Sequence, residues 1–222
     1  PISAKVRKRQ NRMTILCVII SIFLVTAIFS VADMMIRTQS DRMTGKNGSW
    51  HIELDGISQE TALKIAERDD VVSIGAVTIF NPDGELPYRM DGKRVVLYGI
   101  DESYLTMNST GAAEGRFPQG MGEIMLSSNA ARVLQVAVGD TVTLRTPSGD
   151  WDFTVSGLGG VEESYYSGQY SLMDAYLPRT AFAALMEQNN VHNLQTSYYV
   201  QFTSASKAAK AIPELTAQHN LP

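Results

Sequence analysis

The chain has 222 residues, of which 44% are hydrophobic, and it carries a formal net charge of −4. Five of the 19 basic residues lie among the first 12 residues, which include no acidic residue, so the rest of the chain has a net charge of −9. Such an acidic chain lacks the basic surface that binds nucleic acid, and a single cysteine, Cys17, excludes a disulfide within the chain.

Residues 13–32 form a run of twenty residues without a charge. As a helix with a rise of about 1.5 Å per residue, this run spans roughly 30 Å, which is the thickness of the hydrocarbon core of a lipid bilayer. The basic residues before it place the tail 1–12 in the cytoplasm by the positive-inside rule. The sequence therefore predicts a helix anchored in a cell membrane, with the main domain on the extracellular or periplasmic side.

A cleaved signal peptide is the alternative interpretation of this run. Ser30 and Ala32 are small residues at the two positions that a signal peptidase reads. The run is longer than the roughly 7–15 apolar residues of a secretory signal, which favours the anchor. Cys17 follows the bulky Leu16 near the start of the run, and this position argues against a lipoprotein signal.

The helix is predicted to continue beyond the membrane as a stalk. Residues 2–44 contain no glycine and no proline, whereas Gly45 and Gly48 end the helical pattern. A flexible tether would be rich in Gly, Ser or Pro. We therefore interpret residues 13–44 as a transmembrane helix and stalk that can couple the outer domain mechanically to the membrane.

Residues 49–106 have the pattern of a β–α–β unit. A strand is predicted at 49–54, a helix capped by Ser58 follows, and a second strand covers 71–80. A turn at 81–84 then leads to another strand at 94–100.

The next segment, 107–173, is predicted to be an inserted, strand-rich subdomain. It begins with a loop at 108–122, followed by a strand at 123–126 and a helix capped by 127–129. A hairpin of strands 141–145 and 151–156 comes next, and a loop covers 157–168. In this hairpin Val142 and Leu144 are expected to face Trp151, Phe153 and Val155.

Strand and helix alternate again in residues 174–222. Strands are predicted at 174–177 and 197–203, with a helix over 181–188 between them. A last helix begins at Ser204, and its apolar residues are Ala208, Ala209, Ile212 and Leu215. The start without a methionine and the end directly after this helix indicate a segment of a longer protein.

These segments together predict an α+β fold. Residues 49–106 and 174–222 form a split β–α–β, ferredoxin-like layer whose second half is truncated, and 107–173 interrupts it.

A sequence motif in residues 115–158 resembles one known family. The pattern GR.P…GEI.LS…A..L…GD.V.L, followed by F.V.G, is typical of the MacB-type periplasmic core domain of FtsX-like ABC-transporter permeases. The matching residues are Gly115, Arg116, Pro118, Gly122, Glu123, Ile124, Leu126, Ser127, Ala130, Leu134, Gly139, Asp140, Val142 and Leu144. Individually these are turn and core residues, so the motif specifies a fold family and no chemistry.

The resemblance implies a porter-like α/β subdomain interrupted by the strand-rich one. It also implies a permease that works as a dimer with a cytoplasmic ABC ATPase, whose conformational changes pass through the stalk to the outer domain. The output would be export or mechanotransmission on an extracytoplasmic substrate that the motif does not identify. The alternative function, from another class of protein, is that of the extracellular domain of a membrane-anchored sensor or receptor.

Motifs for catalysis or cofactor binding are weak or absent, so we predict no enzyme. His51, His192 and His219 have no metal-ligand spacing. Ser204 and Lys207 spell a Ser-x-x-Lys motif without its companion motifs, and Ser204 is explained as a helix cap. No nucleotide-binding Walker A loop is present. Accordingly, no catalytic, cofactor-binding or metal-binding residue is assigned.

Two features of the predicted outer domain keep alternatives open. Tyr165, Tyr166 and Tyr170 would either grip a partner or ligand, as interface tyrosines often do, or pack over the hairpin core. The acidic charge would either attract cationic peptides or serve solubility alone.

Overall fold

The computed structural model describes residues 15, 18–26, 48–108, 111–159 and 172–219. The chain divides into two units, 1–46 and 47–222. In the first unit, residues 18–26 are helical, and the stalk 33–44 and most of the predicted anchor lie outside the described residues. Among the residues that are described, no helix is both long and apolar enough to cross a membrane.

The described part of the second unit contains ten strands and five helices. The strands are β1 Ile52–Leu54, β2 Val71–Phe80, β3 Arg89–Met90, β4 Lys93–Ile100, β5 Ala112–Gly115, β6 Glu123–Ser127, β7 Thr141–Thr146, β8 Gly149–Gly159, β9 Leu172–Pro178 and β10 Thr196–Phe202. The helices are α1 Gln59–Ala66, α2 Glu102–Met107, α3 Ser128–Leu134, α4 Arg179–Gln188 and α5 Ala205–His219.

Serine side chains cap three of these helices as the sequence predicts. The Ser58 hydroxyl accepts the Thr61 amide at 3.1 Å at the start of α1. The Ser127 hydroxyl accepts the Ala130 amide at 3.1 Å at the start of α3. Ser204 does the same for α5, where the Lys207 amide donates to its hydroxyl at 3.3 Å. A side-chain acceptor here satisfies an amide that has no partner inside the helix.

One mixed sheet begins in the order β1-β10-β2-β4. Strand β10 lies between β1 and β2 and is antiparallel to both, so it splits the β1–α1–β2 unit. Helices α1 and α5 cover one face of this part of the sheet. Their shared core consists of Leu54, Ala62, Ile65, Ala76, Tyr198, Val200, Phe202, Ala208, Ala211 and Leu215.

Six strands of the sheet close into a ring. Strand β4 pairs with β3 and β9, β7 pairs with β3 and β8, and β6 pairs with β8 and β9. The predicted hairpin is confirmed, because Val142 lies opposite Phe153 and Leu144 lies opposite Trp151. The ring encloses the largest core, which includes Val95, Leu97, Ile124, Leu126, Val142, Leu144, Phe153, Val155, Met173, Ala175 and Leu177.

Several predicted boundaries are wrong. Strand β1 is shorter than predicted, β8 continues to Gly159 into the expected loop, and the expected loop 108–122 contains β5. Helix α2 and strand β3 were not predicted at all. Helix α2 begins because Asp101 caps it, accepting the Tyr104 amide at 2.9 Å. The second Asp101 oxygen accepts the Ala76 amide at 2.9 Å, so the same carboxylate ties α2 to β2.

The apolar residues of α5 lie on two different faces of the helix. Ala208 and Leu215 are buried, but Ala209 and Ile212 are exposed and Ala211 is buried instead. Residues 208, 211 and 215 form one stripe on a helix of 3.6 residues per turn, and 209 and 212 belong to the neighbouring stripe. Both stripes are apolar, so the sequence does not determine which of them faces the sheet.

Candidate functional site

An ion pair closes the loop that carries the GR.P…GEI motif. The Arg116 guanidinium donates to both Glu123 oxygens, at 2.9 and 2.5 Å. The Glu123 carboxylate also accepts the amides of Gln119 at 2.8 Å and Gly120 at 3.2 Å. The hydrogen bond from Arg116 is the main cause that lowers the pKa of Glu123 to about 2. Its oxygens are thus occupied by the loop itself, which is a structural role.

The other motif residues also build the fold. Gly115 has a φ of +72°, and the backbone amide of the next residue, Arg116, donates to the Ser156 carbonyl at 2.9 Å. The Asp140 carboxylate accepts the Ala137 amide at 2.8 Å and fixes the turn before β7. Of the remaining apolar motif residues, Ile124, Leu126, Ala130, Val142 and Leu144 are buried, and Leu134 is partly buried against the same core.

The Arg116–Glu123 pair predicts a specific pH dependence. A folded-state pKa of about 2, below the ordinary 4.5, means that ionised Glu123 stabilises the fold above pH 4.5. This stabilisation is lost as the pH falls from 4.5 toward 2. We expect Glu123→Gln to lower the free energy of unfolding at neutral pH. Between pH 4.5 and pH 2 this variant should lose less of its free energy of unfolding than wild type does.

The measurement is urea unfolding of wild type and variant between pH 7 and pH 2.5. Glu85→Gln is the control, because Glu85 is exposed and has no hydrogen bond among the described residues. An identical pH dependence of wild type and Glu123→Gln would contradict the structural role of the pair.

An aromatic cluster lies on the sheet face opposite α1 and α5. Trp50 and Tyr104 each contact the Tyr199 ring edge-on, with centroid distances of 5.0 and 5.1 Å. The Tyr199 hydroxyl donates to Glu53 at 2.5 Å. Burial, followed by this hydrogen bond, raises the pKa of Tyr199, and burial raises the pKa of Tyr104 to about 12. Burial thus disfavours ionisation of both hydroxyls, and the Tyr199 hydroxyl is a hydrogen-bond donor.

A buried carboxyl group lies on β9. Asp174 is only 8% exposed, and Tyr98, whose ring stacks on Tyr176 at 5.0 Å, hydrogen-bonds to it. The Asp174 Oδ1 atom has no hydrogen-bond partner in the described part of the chain. Burial raises the pKa of Asp174, because a charge is poorly solvated there. No other acidic or basic side chain is hydrogen-bonded to it among the described residues, so the geometry does not form an acid–base pair.

Several clefts open on the second unit. One of them, about 500 Å³, lies between the β3–β4 turn and β7, and Arg89 and Arg145 line it. A cleft of about 400 Å³ lies beside α4 and is lined by Phe182, Met186 and His192, among others. A third, about 320 Å³, follows β1 and α5. Thr78, Glu187 and His192 all line the cleft beside α4, but among the described residues no hydrogen bond joins these three side chains, and the Thr78 hydroxyl pairs with Thr196.

The residues considered for chemistry in the sequence do not meet in the described structure. The His51 ring accepts the Phe202 amide at 3.2 Å, whereas His192 lines the cleft beside α4. The side chain of His219 and the tyrosines 165, 166 and 170 lie outside the described residues. Across the described ranges, no three His, Cys, Asp or Glu side chains lie close enough to hold a metal ion.

Comparison with known proteins identifies the architecture. The family model of the MacB-like periplasmic core domain matches residues 13–218. The periplasmic region of MacB from Actinobacillus actinomycetemcomitans superposes with a TM-score of 0.54 at 17% identity, covering 76% of this chain and 77% of that one. The extracellular domain of the noncanonic ABC-type transporter YknZ from Gram-positive bacteria gives 0.52 at 16% identity, covering 75% and 86%.

A domain of a putative permease protein from Porphyromonas gingivalis has a TM-score of 0.50 at 17% identity, and 75% of this chain and 71% of that one are covered. Among curated proteins, none matches the chain significantly. At these identities the solved structures share the mixed α+β fold with this chain.

Proposed function

Because the chain belongs to the MacB-like periplasmic core domain family, we propose that it is the first transmembrane helix, stalk and outer domain of an ABC-transporter permease. The match from residue 13 to residue 218 carries this proposal, since it includes the predicted anchor as well as most of the second unit, 47–222, which is the outer unit of the proposed permease. The protein is then a non-enzymatic component of a permease dimer that works with a cytoplasmic ABC ATPase. Its substrate class is open, and export and mechanotransmission are both compatible with the fold.

The entry of the chain into the outer unit supports mechanical coupling. The Ser49 amide donates to the Met107 carbonyl at 2.5 Å, and the Ser49 hydroxyl donates to the same oxygen at 3.3 Å. Gly48, with a φ of +85°, packs so closely that a Cβ atom would lie 2.4 Å from that oxygen. A displacement of the stalk would therefore load the end of α2 as well as β1, and not an isolated loop.

The split of β1–α1–β2 by β10 supports a porter-like, ferredoxin-like layer in the outer domain. In this proposal the ring of six strands is the rigid body that moves with that layer, because both share strand β4. The bilayer contact is made by residues 13–32, and the tail 1–12 is cytoplasmic.

Co-purification from native membranes tests the ABC assignment. We expect the full-length protein to bring down an ATPase with a Walker A motif, and the gene to encode further hydrophobic spans after this segment. A histidine-kinase-like module after the segment, with no associated ATPase, would instead support the sensor or receptor function.

Topology is tested by a reporter fusion. A reporter that is active only outside the cytoplasm, fused after Gly120, is expected to be active, and the mature protein is expected to retain Cys17. Mass spectrometry that finds an N-terminus at Asp33 would show that residues 13–32 are a cleaved signal peptide.

A further inference from the structure

Strand β1 forms one end of the sheet and has a free edge. It pairs with β10 along Ile52–Leu54, and no described strand pairs with its other side. Half of the backbone donors and acceptors of an edge strand point away from the sheet, where an extended peptide can bind them.

An apolar groove runs along this edge. It has a volume of about 320 Å³ and lies between β1 and α5. Its floor contains the buried side chains of Leu54 and Leu215, and Ile212 stands on its wall with 49% of its surface exposed. Side chains on one face of an added strand would cover these apolar groups.

The opposite face of β1 is acidic. Side chains alternate along a strand, so Glu53 and Asp55 lie on the face opposite Leu54. Tyr199 donates to Glu53 and Ser197 donates to Asp55, which fixes both carboxylates while they remain exposed. A second copy of β1 added at this edge would bring these carboxylates close to one another, which disfavours self-association.

We propose that the β1 edge binds a linear basic peptide as an added strand. Alternate apolar side chains of the peptide would contact Ile212 and Leu215, and the basic side chains between them would face Glu53 and Asp55. The net charge of −9 beyond residue 12 attracts such a ligand over longer range. The site requires only the outer unit and does not depend on coupling to an ATPase.

The test uses the full chain in nanodiscs of neutral lipid and a labelled hexapeptide of alternating lysine and valine. Two further peptides carry N-methyl groups either on all lysine amides or on all valine amides, which blocks one backbone edge each. A peptide of alternating glutamate and valine controls for charge. We expect binding of the lysine peptide, no binding of the glutamate peptide, and loss of binding for one N-methyl peptide, which also gives the strand direction.

Matched variants locate the site. Ile212→Lys and Glu53→Lys are each expected to weaken binding about tenfold or more. Leu63→Lys on α1 and Glu67→Lys directly after α1 are exposed controls outside the groove and should bind like wild type. Hydrogen exchange should slow at the amides of residues 52–54 when the peptide binds. Melting curves verify that each variant is folded.

Three results would overturn the proposal. The first is equal binding of the lysine peptide by Glu53→Lys and by wild type. The second is tight binding of both N-methyl peptides. The third is dimerisation of the chain through this edge, seen as a mass that halves in Ile212→Lys. Each of these outcomes leaves the ABC-transporter assignment unaffected, because that assignment is tested by co-purification.

Discussion

Replacing Gly115 with alanine is expected to destabilise the outer unit by about 3 kcal/mol or more. Gly115 has a φ of +72°, a conformation that is strained for alanine. An added Cβ atom would also lie 2.4 Å from the Ser156 carbonyl oxygen. That oxygen is held in place, because it accepts the Arg116 amide at 2.9 Å and belongs to β8 in the middle of the sheet.

Gly122→Ala is the matched control for this prediction. Gly122 belongs to the same motif, but a Cβ atom there has no neighbour within 4 Å, so its effect should stay within about 0.5 kcal/mol. Urea unfolding of both variants, followed by near-UV circular dichroism of the solubilised chain, measures the difference. Equal unfolding midpoints for Gly115→Ala and Gly122→Ala would show that β5 is not held against β8 as the structure has it.

The family motif encodes a close backbone contact, a loop closure and a helix cap. Gly115 permits a close backbone contact, Glu123 closes a loop with Arg116, and Ser127 caps α3. None of these residues presents a free functional group, since the loop and the helix use each of them. The sequence interpretation of the motif as turn and core residues follows from the same chemistry.

Local signals account for the elements that the sequence predicts well. Ser58 and Ser127 cap helices with their own side chains, and β2 is predicted at its observed bounds because ten residues rich in β-branched side chains form it. The hairpin of β7 and β8 likewise depends on residues close in sequence, so its register was predictable.

Long-range pairing accounts for what the sequence does not predict. The parallel pairing of β4 with β9 joins residues that lie far apart in the chain, and no local pattern reports it. Strand β5 has a sequence of small and acidic residues and forms because β8 offers it an edge. The ring of six strands is therefore a tertiary result.

At the candidate surfaces too, local patterns predict the orientation of single residues, whereas contacts between distant segments are not predicted. Alternation in β10 predicts that Tyr199 faces away from α5, but it does not reveal that Trp50 and Tyr104 meet that ring. The sequence does not predict the groove between β1 and α5, because it does not determine which of the two apolar stripes of α5 faces the sheet. Ile212 is apolar but exposed, and this exposure is the observation that points to the groove.

Softening the stalk is expected to abolish coupling while leaving the outer unit folded. Residues 36 and 37 lie outside the described residues, and the sequence between 33 and 44 has the pattern of a continuous helix without glycine or proline. A Gly-Gly pair in place of Ile36 and Arg37 costs the helix roughly 2 kcal/mol by propensity and adds local flexibility. The outer domain should melt normally, because its cores lie beyond Gly48.

An Ala-Ala pair at the same two positions separates stiffness from side-chain identity, since alanine removes both side chains and keeps the helix. We expect the Ala-Ala variant to retain transport-dependent tolerance of drugs or peptides and the Gly-Gly variant to lose it, at equal membrane expression and equal outer-domain melting. Rigid transmission requires this difference, because a stalk that bends absorbs the displacement that the ATPase produces. If the Gly-Gly variant keeps full function, the segment is a tether whose length matters and whose stiffness does not, and the mechanical hypothesis is wrong.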